Sequence, residues 1–167
     1  MADARIEPLA ERHFQSLRRA LDVVAREKKY LAFAQAPAPQ AAYDFYRYIV
    51  DNGHCHFVAV AGEEVVGWCD VLPTHGETRA HAAVLGIGVV PAWRGRGIGP
   101  VLMRTAIESA WSRGFTRIEL TVRVDNPRAI ALYERAGFVR EGLHRGAFRV
   151  DGEYVDSHAM ALRREDG

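Results

Sequence analysis

A run of alternating glycines, Arg94-Gly95-Arg96-Gly97-Ile98-Gly99, sharply narrows the possible folds of this 167-residue chain. The apolar stretch from about His81 to Val90 predicts a strand before it. An apolar stripe at helical spacing, formed by Ile98, Leu102, Ala106 and Ala110, predicts a helix after it. A glycine-rich loop between a strand and a helix leaves unpaired amides at the helix start, and the helix dipole adds to them. The segment is therefore a candidate anion site, in which Arg94 and Arg96 can supply charge to a diphosphate.

The segment is a poor match to the sequence patterns of phosphate-binding loops in two other folds. A nucleotide triphosphatase loop ends in glycine-lysine followed by serine or threonine, and the segment contains no lysine. The dinucleotide-binding fold uses G-x-G-x-x-G, but Pro100 occupies the place of the third glycine. Glu119 lies about 20 residues further on, where that fold places a ribose-binding acid. A nicotinamide-binding module therefore stays open as an alternative.

The remaining pattern predicts an α+β fold, with about four helices and a mixed, mostly antiparallel sheet. Asn126-Pro127 begins a short helix, because asparagine caps free amides and proline suits the first helical position. Asp151-Gly152 is a two-residue hairpin signal. The other predicted elements are helices over about 11–26, 40–50 and from 98 to Gly114, and strands over about 56–61, 65–71, 81–90, 117–122, 143–150 and 153–162.

Composition is that of one soluble globular domain spanning residues 1–167, with 49% hydrophobic and 26% charged residues. The net charge of +1 offers no bulk field for nucleic acid or a membrane surface. The chain has no apolar leader and no apolar run near the roughly 18 residues that a membrane helix needs. Its two cysteines build no disulfide framework, and His54-Cys55-His56 lacks a third metal ligand. We expect a cytoplasmic protein without a metal, nucleic-acid partner or membrane partner.

Two segments together resemble the acetyl-CoA signature of the GNAT superfamily of N-acetyltransferases. The glycine segment resembles the family's R/Q-x-x-G-x-G/A pyrophosphate loop, and residues 126–138 resemble its N-x-x-A-x-x-x-Y-x-x-x-G-F helix, in the family's order and spacing. The resemblance covers nearly the whole chain. Residues 117–122 and 151–156 are similar to a bacterial branch that acetylates free amino acids or related small amines.

This resemblance implies a single GNAT domain with splayed central strands that transfers acetyl from acetyl-CoA to the primary amine of a small molecule. Gly86 and Gly88 interrupt a strand, which indicates a bulge or the close approach of another backbone; the resemblance implies the second, because in the family the pantetheine arm inserts there. The layout also places Glu27, Tyr30 and Trp68 near the acceptor, and it implies a homodimer that uses the C-terminal hairpin. The residues expected to bind acetyl-CoA are Ile87, Val89, Arg94, Gly95, Arg96, Gly97, Ile98, Gly99, Asn126 and Tyr133.

Aminolysis of a thioester needs an uncharged amine and a proton for the departing thiolate. Asn126 and Tyr133 are about two turns apart on one helix face. A phenol with a pKa of about 10 is protonated at neutral pH, so Tyr133 is the candidate general acid. Many family members carry a glutamate base where Val84 stands here, which leaves Glu119 or His81 as candidate bases, or a water chain without a dedicated base.

Two other functions stay open. A protein N-terminal acetyltransferase would use the same chemistry on a peptide. A nucleotide-binding or CoA-binding regulator without catalysis would keep the glycine segment but would not need Tyr133.

Overall fold

The computed structural model describes residues 3–165, which form seven strands in one sheet and four α-helices. The strands are β1 (Arg5–Pro8), β2 (Cys55–Ala61), β3 (Glu64–Pro73), β4 (Ala82–Val89), β5 (Arg117–Arg123), β6 (Val139–Val150) and β7 (Glu153–Arg163). The helices are α1 (Phe14–Arg26), α2 (Pro39–Asp51), α3 (Ile98–Ser112) and α4 (Pro127–Arg135). This architecture confirms the predicted α+β class.

The sheet is mixed and mostly antiparallel, in the order β1-β2-β3-β4-β5-β7-β6. Strands β4 and β5 run parallel, and the other neighbouring pairs among the described strands run antiparallel. A dinucleotide-binding sheet is mostly parallel. The nicotinamide-binding alternative is therefore wrong.

Strands β4 and β5 separate soon after they meet. Their pairing runs from Ala82 opposite Arg117 to Val84 opposite Glu119. Beyond that point β4 pairs with β3 alone, and β5 pairs with β7 alone, within the described residues. The predicted splay of the central strands is confirmed, and it opens a gap toward the glycine segment.

Helices cover both faces of the sheet, and the gap between β4 and β5 lies between these two helical layers. On one face, α3 buries all four residues of its predicted apolar stripe, Ile98, Leu102, Ala106 and Ala110. On the opposite face, α1 and α2 pack their apolar sides against β2 and β3. Burial of each large apolar side chain contributes about 1.5–3 kcal/mol, so the two layers hold the strands around the gap in place.

Local turn chemistry follows the sequence closely. The Asn126 Oδ1 atom accepts a hydrogen bond from the Ala129 N–H at 3.2 Å, which confirms the predicted cap of α4. Asp151 and Gly152 have φ values of 50° and 85°, as a tight hairpin turn requires.

Two element starts differ from the prediction. A 3₁₀ turn at Glu11–His13 precedes α1, where the His13 Nδ1 atom accepts the Ala10 N–H at 3.0 Å. Strand β6 begins at Val139 instead of about residue 143. Residues 139–142 are all exposed, so no apolar alternation marks them as a strand. They become a strand by pairing with the far end of β7.

Candidate active site

A cavity of about 590 Å³ lies where β4 and β5 separate, between the ends of these strands, the glycine segment and α4. Most of the predicted acetyl-CoA residues line it, as does Tyr30. The predicted residues in its wall are Tyr30, Ile87, Val89, Arg94, Gly95, Gly97, Ile98, Gly99, Asn126 and Tyr133. The predicted residues outside its wall are Arg96, Glu27, Trp68 and Glu119.

The glycine segment turns the chain from β4 into α3. Gly95 and Gly97 have φ values of +76° and +80°, a left-handed conformation that favours glycine. Within residues 3–165, the backbone N–H groups of residues 95–99 donate to no protein acceptor. A Cβ atom on Gly97 would meet nothing within 4 Å, so open space lies beside these amides. A row of free amides ahead of a 15-residue helix fits the diphosphate of acetyl-CoA.

Backbone groups of β4 also point into the gap. The Val90 N–H donates to the Val66 carbonyl at 2.9 Å, and antiparallel pairing alternates along a strand. The N–H and C=O groups of Ile87 and Val89 therefore point away from β3, toward the cavity. The Val89 carbonyl accepts the Arg94 Nε–H at 2.9 Å, and the Val89 N–H is left to a ligand. An extended pantetheine arm suits such a strand edge.

Arg94 joins the glycine segment to the end of α1. Its Nη1 and Nη2 atoms donate to the two Glu27 carboxylate oxygens at 2.9 and 2.6 Å, and its guanidinium lies 4.7 Å from the centre of the Tyr30 ring. This hydrogen bonding raises the pKa of Arg94. Glu27 therefore neutralises the charge of Arg94, and this charge is not available to bind a diphosphate. No local sequence pattern reveals a pair whose members are 67 residues apart.

Arg128 supplies positive charge to the cavity, and the sequence interpretation missed it. Its Nη2 atom lies 3.4 Å from the position that a Cβ on Gly95 would take, and Arg128 lines the cavity. Arg96 instead stacks on Trp93 at 4.6 Å. The signal available in the sequence was the position of Arg128 directly after Pro127, at the positive end of α4.

Replacing Arg128 with Gln is expected to raise the Kd for acetyl-CoA at least about tenfold at low salt, because a charge-assisted hydrogen bond contributes about 1.5–3 kcal/mol. The difference from the wild type should shrink as salt screens the charge. Isothermal titration calorimetry at two salt concentrations measures both effects. Arg104→Gln, on the exposed side of α3, is the matched control. Equal Kd values for the two variants would show that Arg128 does not contact the ligand.

Tyr133 presents a protonated hydroxyl to the cavity. The residue is 8% exposed, and within the described residues its hydroxyl makes no hydrogen bond. Burial raises the pKa of Tyr133 well above its usual value, so the phenol keeps its proton at neutral pH. Asn126 also lines the cavity, with its Oδ1 atom engaged in the cap of α4. The two side chains predicted to share one helix face are thus brought together.

Glu119 is held by two arginines. The Arg79 Nη2 atom donates to its oxygens at 2.8 and 3.0 Å, and the Arg117 Nε atom donates at 2.8 Å. The Arg117 hydrogen bond is the largest cause that lowers the pKa of Glu119. A carboxylate with a lowered pKa between two guanidinium groups is a poor proton acceptor. The structure therefore favours an ion-pairing role for Glu119 over the predicted role of general base.

The predicted acceptor residues lie in two places. Glu27 and Tyr30 line a second cavity of about 580 Å³, which shares Tyr30, Arg123, Asn126 and Arg128 with the first. Trp68 is buried, and its ring lies 2.4 Å from the position that a Cβ on Gly88 would take. Gly88 is therefore required for close approach of the indole, on the face of β4 that α1 and α2 also cover.

Comparison with known proteins explains why these features occur together. The model of the Acetyltransferase (GNAT) family matches residues 18–138, a range that includes the glycine segment and α4. The chain belongs to the GNAT family of acetyltransferases. It is 34% identical over 163 residues to the L-amino acid N-acetyltransferase AaaT of Escherichia coli, across 96% of this chain and 98% of that protein.

Other GNAT proteins share the sequence or the fold. The chain is 39% identical over 115 residues to the N-alpha-acetyltransferase RimI of Mycobacterium tuberculosis, across 68% of each protein. The solved structure of yncA from Salmonella typhimurium, with its cofactor acetyl-CoA, matches with a TM-score of 0.91. The match covers 99% of this chain and 96% of that one, and at 15% identity it shows the fold.

The chain is therefore an acetyl-CoA-dependent N-acetyltransferase. In the described range of residues 3–165, no helix is both long and apolar enough to cross a membrane.

Proposed function

We propose that this GNAT enzyme acetylates the primary amine of a free amino acid or a similarly small amine, and that the whole chain forms one acetyltransferase domain. The observation that carries the proposal is the near-full-length similarity to an L-amino acid N-acetyltransferase. The similarity extends past residue 138, where the family model ends, into the strands that lie beside the second cavity.

Contacts at the second cavity also favour a small acceptor. The Lys28 Nζ atom lies 3.2 Å from Asp151 Oδ1, and the Arg123 Nη1 atom donates to the Lys28 carbonyl at 2.8 Å. These contacts tie the segment after α1 to the β6–β7 turn and to β5. A peptide that lay across this region would have to displace the Lys28–Asp151 pair, whereas a single amino acid would not.

In this proposal, each group that lines the first cavity has one role in cofactor binding or catalysis. When bound, acetyl-CoA supplies the activated acetyl thioester. The amides of residues 95–99 and Arg128 hold its diphosphate, and the backbone of Ile87 and Val89 aligns its arm. Asn126 donates its side-chain amide to the arm. The Tyr133 hydroxyl donates its proton to the departing sulfur. Because the thiol that forms is more acidic than the buried phenol, this proton transfer requires the hydroxyl to lie next to the sulfur.

A second acceptor class has its own support. The 39% identity to RimI, an N-alpha-acetyltransferase, covers about two thirds of each chain. Protein N-terminal acetylation is therefore the second candidate.

The acceptor can be identified by incubating the purified protein with acetyl-CoA and separate pools of L-amino acids, polyamines, amino sugars and short peptides. Free thiol reports turnover, and mass spectrometry identifies the acetylated product. The proposal predicts thiol release with the amino acid pool and an acetylated amino acid as product. Acetylation confined to peptide N-termini would establish the second candidate instead. The Tyr133→Phe variant serves as the background control.

We further propose that the enzyme forms a homodimer in the cytoplasm. The edge strand β6 supports the first point, because Val139 and Leu143 are 61% and 51% exposed on a strand without an outer neighbour in the described sheet. The buried, unpaired thiols of Cys55 and Cys69 support a reducing compartment. Light scattering after size exclusion tests the dimer, and Leu143→Lys should shift it to monomer.

A further inference from the structure

Asp70 is a carboxyl group without a cationic partner in the middle of the sheet. Its side chain is 19% exposed. Among the described residues it accepts no hydrogen bond, and the one basic side chain within 4 Å of it is His56, whose Nδ1 atom lies 3.7 Å from Oδ2. A carboxylate removed from water without a counterion is costly. Such a residue in an enzyme is a candidate for contact with a cationic ligand.

Asp70 lies beside the position where the family's glutamate is missing. In the β3–β4 pairing, Leu72 is opposite Val84, Asp70 is opposite Gly86, and Trp68 is opposite Gly88. These residues share one face of the sheet, because side chains alternate along a strand. Val84 is 46% exposed, so this face of β4 is open at that end.

Gly86 leaves the Asp70 carboxyl uncovered. A Cβ on Gly86 would lie only 3.3 Å from Asp70 Oδ1, so any other side chain there would extend across the carboxyl. Gly86 is two residues from Gly88, which lines the first cavity. At about 3.3 Å per residue, that spacing is about 7 Å. The Asp70 carboxyl therefore lies beyond the wall of the first cavity, next to Gly86 and about two residues along β4 from Gly88.

The groups around Asp70 do not neutralise it. From β2, His56 is buried with both ring nitrogens unpaired, and burial lowers its pKa to about 3, so it stays neutral. From α2, the Tyr46 hydroxyl is buried without a partner, and burial raises its pKa to about 12. Beneath the sheet, burial raises the pKa of both Cys55 and Cys69, which are protonated.

More distant charged groups do not neutralise Asp70 either. Opposite Asp70 on β4 stands Gly86, which has no titratable group. His13 faces His56, and burial lowers the pKa of His13 as well. The charge of Arg18 on α1 partly offsets the effect of burial on the pKa of Tyr46, and the Arg18 Nε atom donates to the Pro37 carbonyl at 2.8 Å. The carboxyl therefore meets neutral groups on the protein side and open space on the side of Gly86.

We propose that Asp70 binds the ammonium group of the acceptor and takes its proton, in place of the glutamate absent at Val84. The inference rests on the proposed function, since it needs an amine acceptor. Asp70 removes one proton from the ammonium, which leaves a nitrogen lone pair. That nitrogen bonds to the acetyl carbon as the carbon–sulfur bond breaks, and Tyr133 protonates the sulfur. The second nitrogen proton restores the Tyr133 hydroxyl, and the proton on Asp70 is released to solvent.

The proposal predicts a specific pH dependence. Burial raises the pKa of Asp70 to about 7. Only the carboxylate form accepts a proton, so kcat/KM should rise as the pH increases through about 7. The same raised pKa has the opposite effect on stability. The folded state keeps a proton that the unfolded state loses near pH 4, so stability falls between about pH 4 and pH 7.

The test compares Asp70→Asn with Glu63→Gln, an exposed carboxylate in the turn of the same β2–β3 hairpin, and with Glu119→Gln. Asp70→Asn is expected to lower kcat at least about 100-fold with the acceptor found in the screen, to abolish the rise near pH 7, and to leave the Kd for acetyl-CoA unchanged. It should also raise the Tm at pH 8 but not at pH 4. Glu63→Gln should match the wild type.

Two results would overturn the assignment: a folded Asp70→Asn variant that keeps the pH profile, or loss of the profile in Glu119→Gln instead. A separate measurement covers the case in which no amine is accepted, which would refute the proposed function. In that case the ¹³C carboxyl resonance of Asp70, identified by its absence in Asp70→Asn, is titrated with and without methylammonium. Titration near pH 7 that methylammonium shifts downward supports the ammonium site. Titration in the ordinary aspartate range overturns it.

Discussion

Replacing Tyr133 with Phe is expected to lower kcat by about 100-fold or more, while the Kd for acetyl-CoA changes less than about threefold. The substitution removes one oxygen and keeps the ring in contact with Phe138, whose ring centre lies 5.9 Å away. The hydroxyl has no partner among the described residues, so its loss leaves no buried group unpaired. Stability should therefore be nearly unchanged, and the loss should appear in the chemical step.

Stopped-flow measurement of thiol release in a single turnover separates that step from product release. Tyr48→Phe is the matched control, because Tyr48 is 50% exposed on α2 and does not line the first cavity. Unchanged single-turnover rates in a folded Tyr133→Phe variant would contradict the general-acid role and would point to water as the proton donor.

The second large effect is expected from Gly97→Ala, which should raise the Kd for acetyl-CoA about 10- to 100-fold. A Cβ at Gly97 would project into the open space beside the free amides of residues 95–99. Loss of one charge-assisted hydrogen bond to a phosphate costs about 1.5–3 kcal/mol, which corresponds to that range of Kd.

Gly62→Ala separates this effect from backbone strain. Gly62 has a φ of +62° against +80° for Gly97, and a Cβ at either position would meet nothing within 4 Å. Both variants should lose a similar amount of stability, about 1 kcal/mol. Only Gly97→Ala should lose affinity in calorimetry, because Gly62 lies in the β2–β3 turn. Equal affinities would show that the diphosphate does not lie against Gly97.

Features encoded within a few residues were predictable from the sequence. The cap at Asn126, the turn at Asp151-Gly152 and the apolar stripe of α3 each depend on near neighbours in the chain, and the structure confirms them. The splay of the central strands was implied by family resemblance and not by any local pattern. It is an outcome of sheet pairing that stops after Val84.

Features that depend on distant residues were not predictable. The carboxylate of Glu27 reaches Arg94 across 67 residues, and Arg79 reaches Glu119 across 40. Nothing in the sequence distinguishes Asp70 from other polar residues in strands. Only its register opposite Gly86 shows that its carboxyl faces open space. Strand register decides which side chains meet in a site, even where no neighbouring residues in the sequence mark them. A single sequence does not specify this register.

Amide hydrogen exchange with and without acetyl-CoA tests most directly the claim that the gap between β4 and β5, together with the glycine segment, binds the acetyl donor. We predict strong protection of the amides of residues 87–89 and 95–99, and no change in β1 or in the β2–β3 turn. Protection that appears elsewhere, or binding that leaves residues 95–99 exchanging at their free rate, would contradict this account of the site.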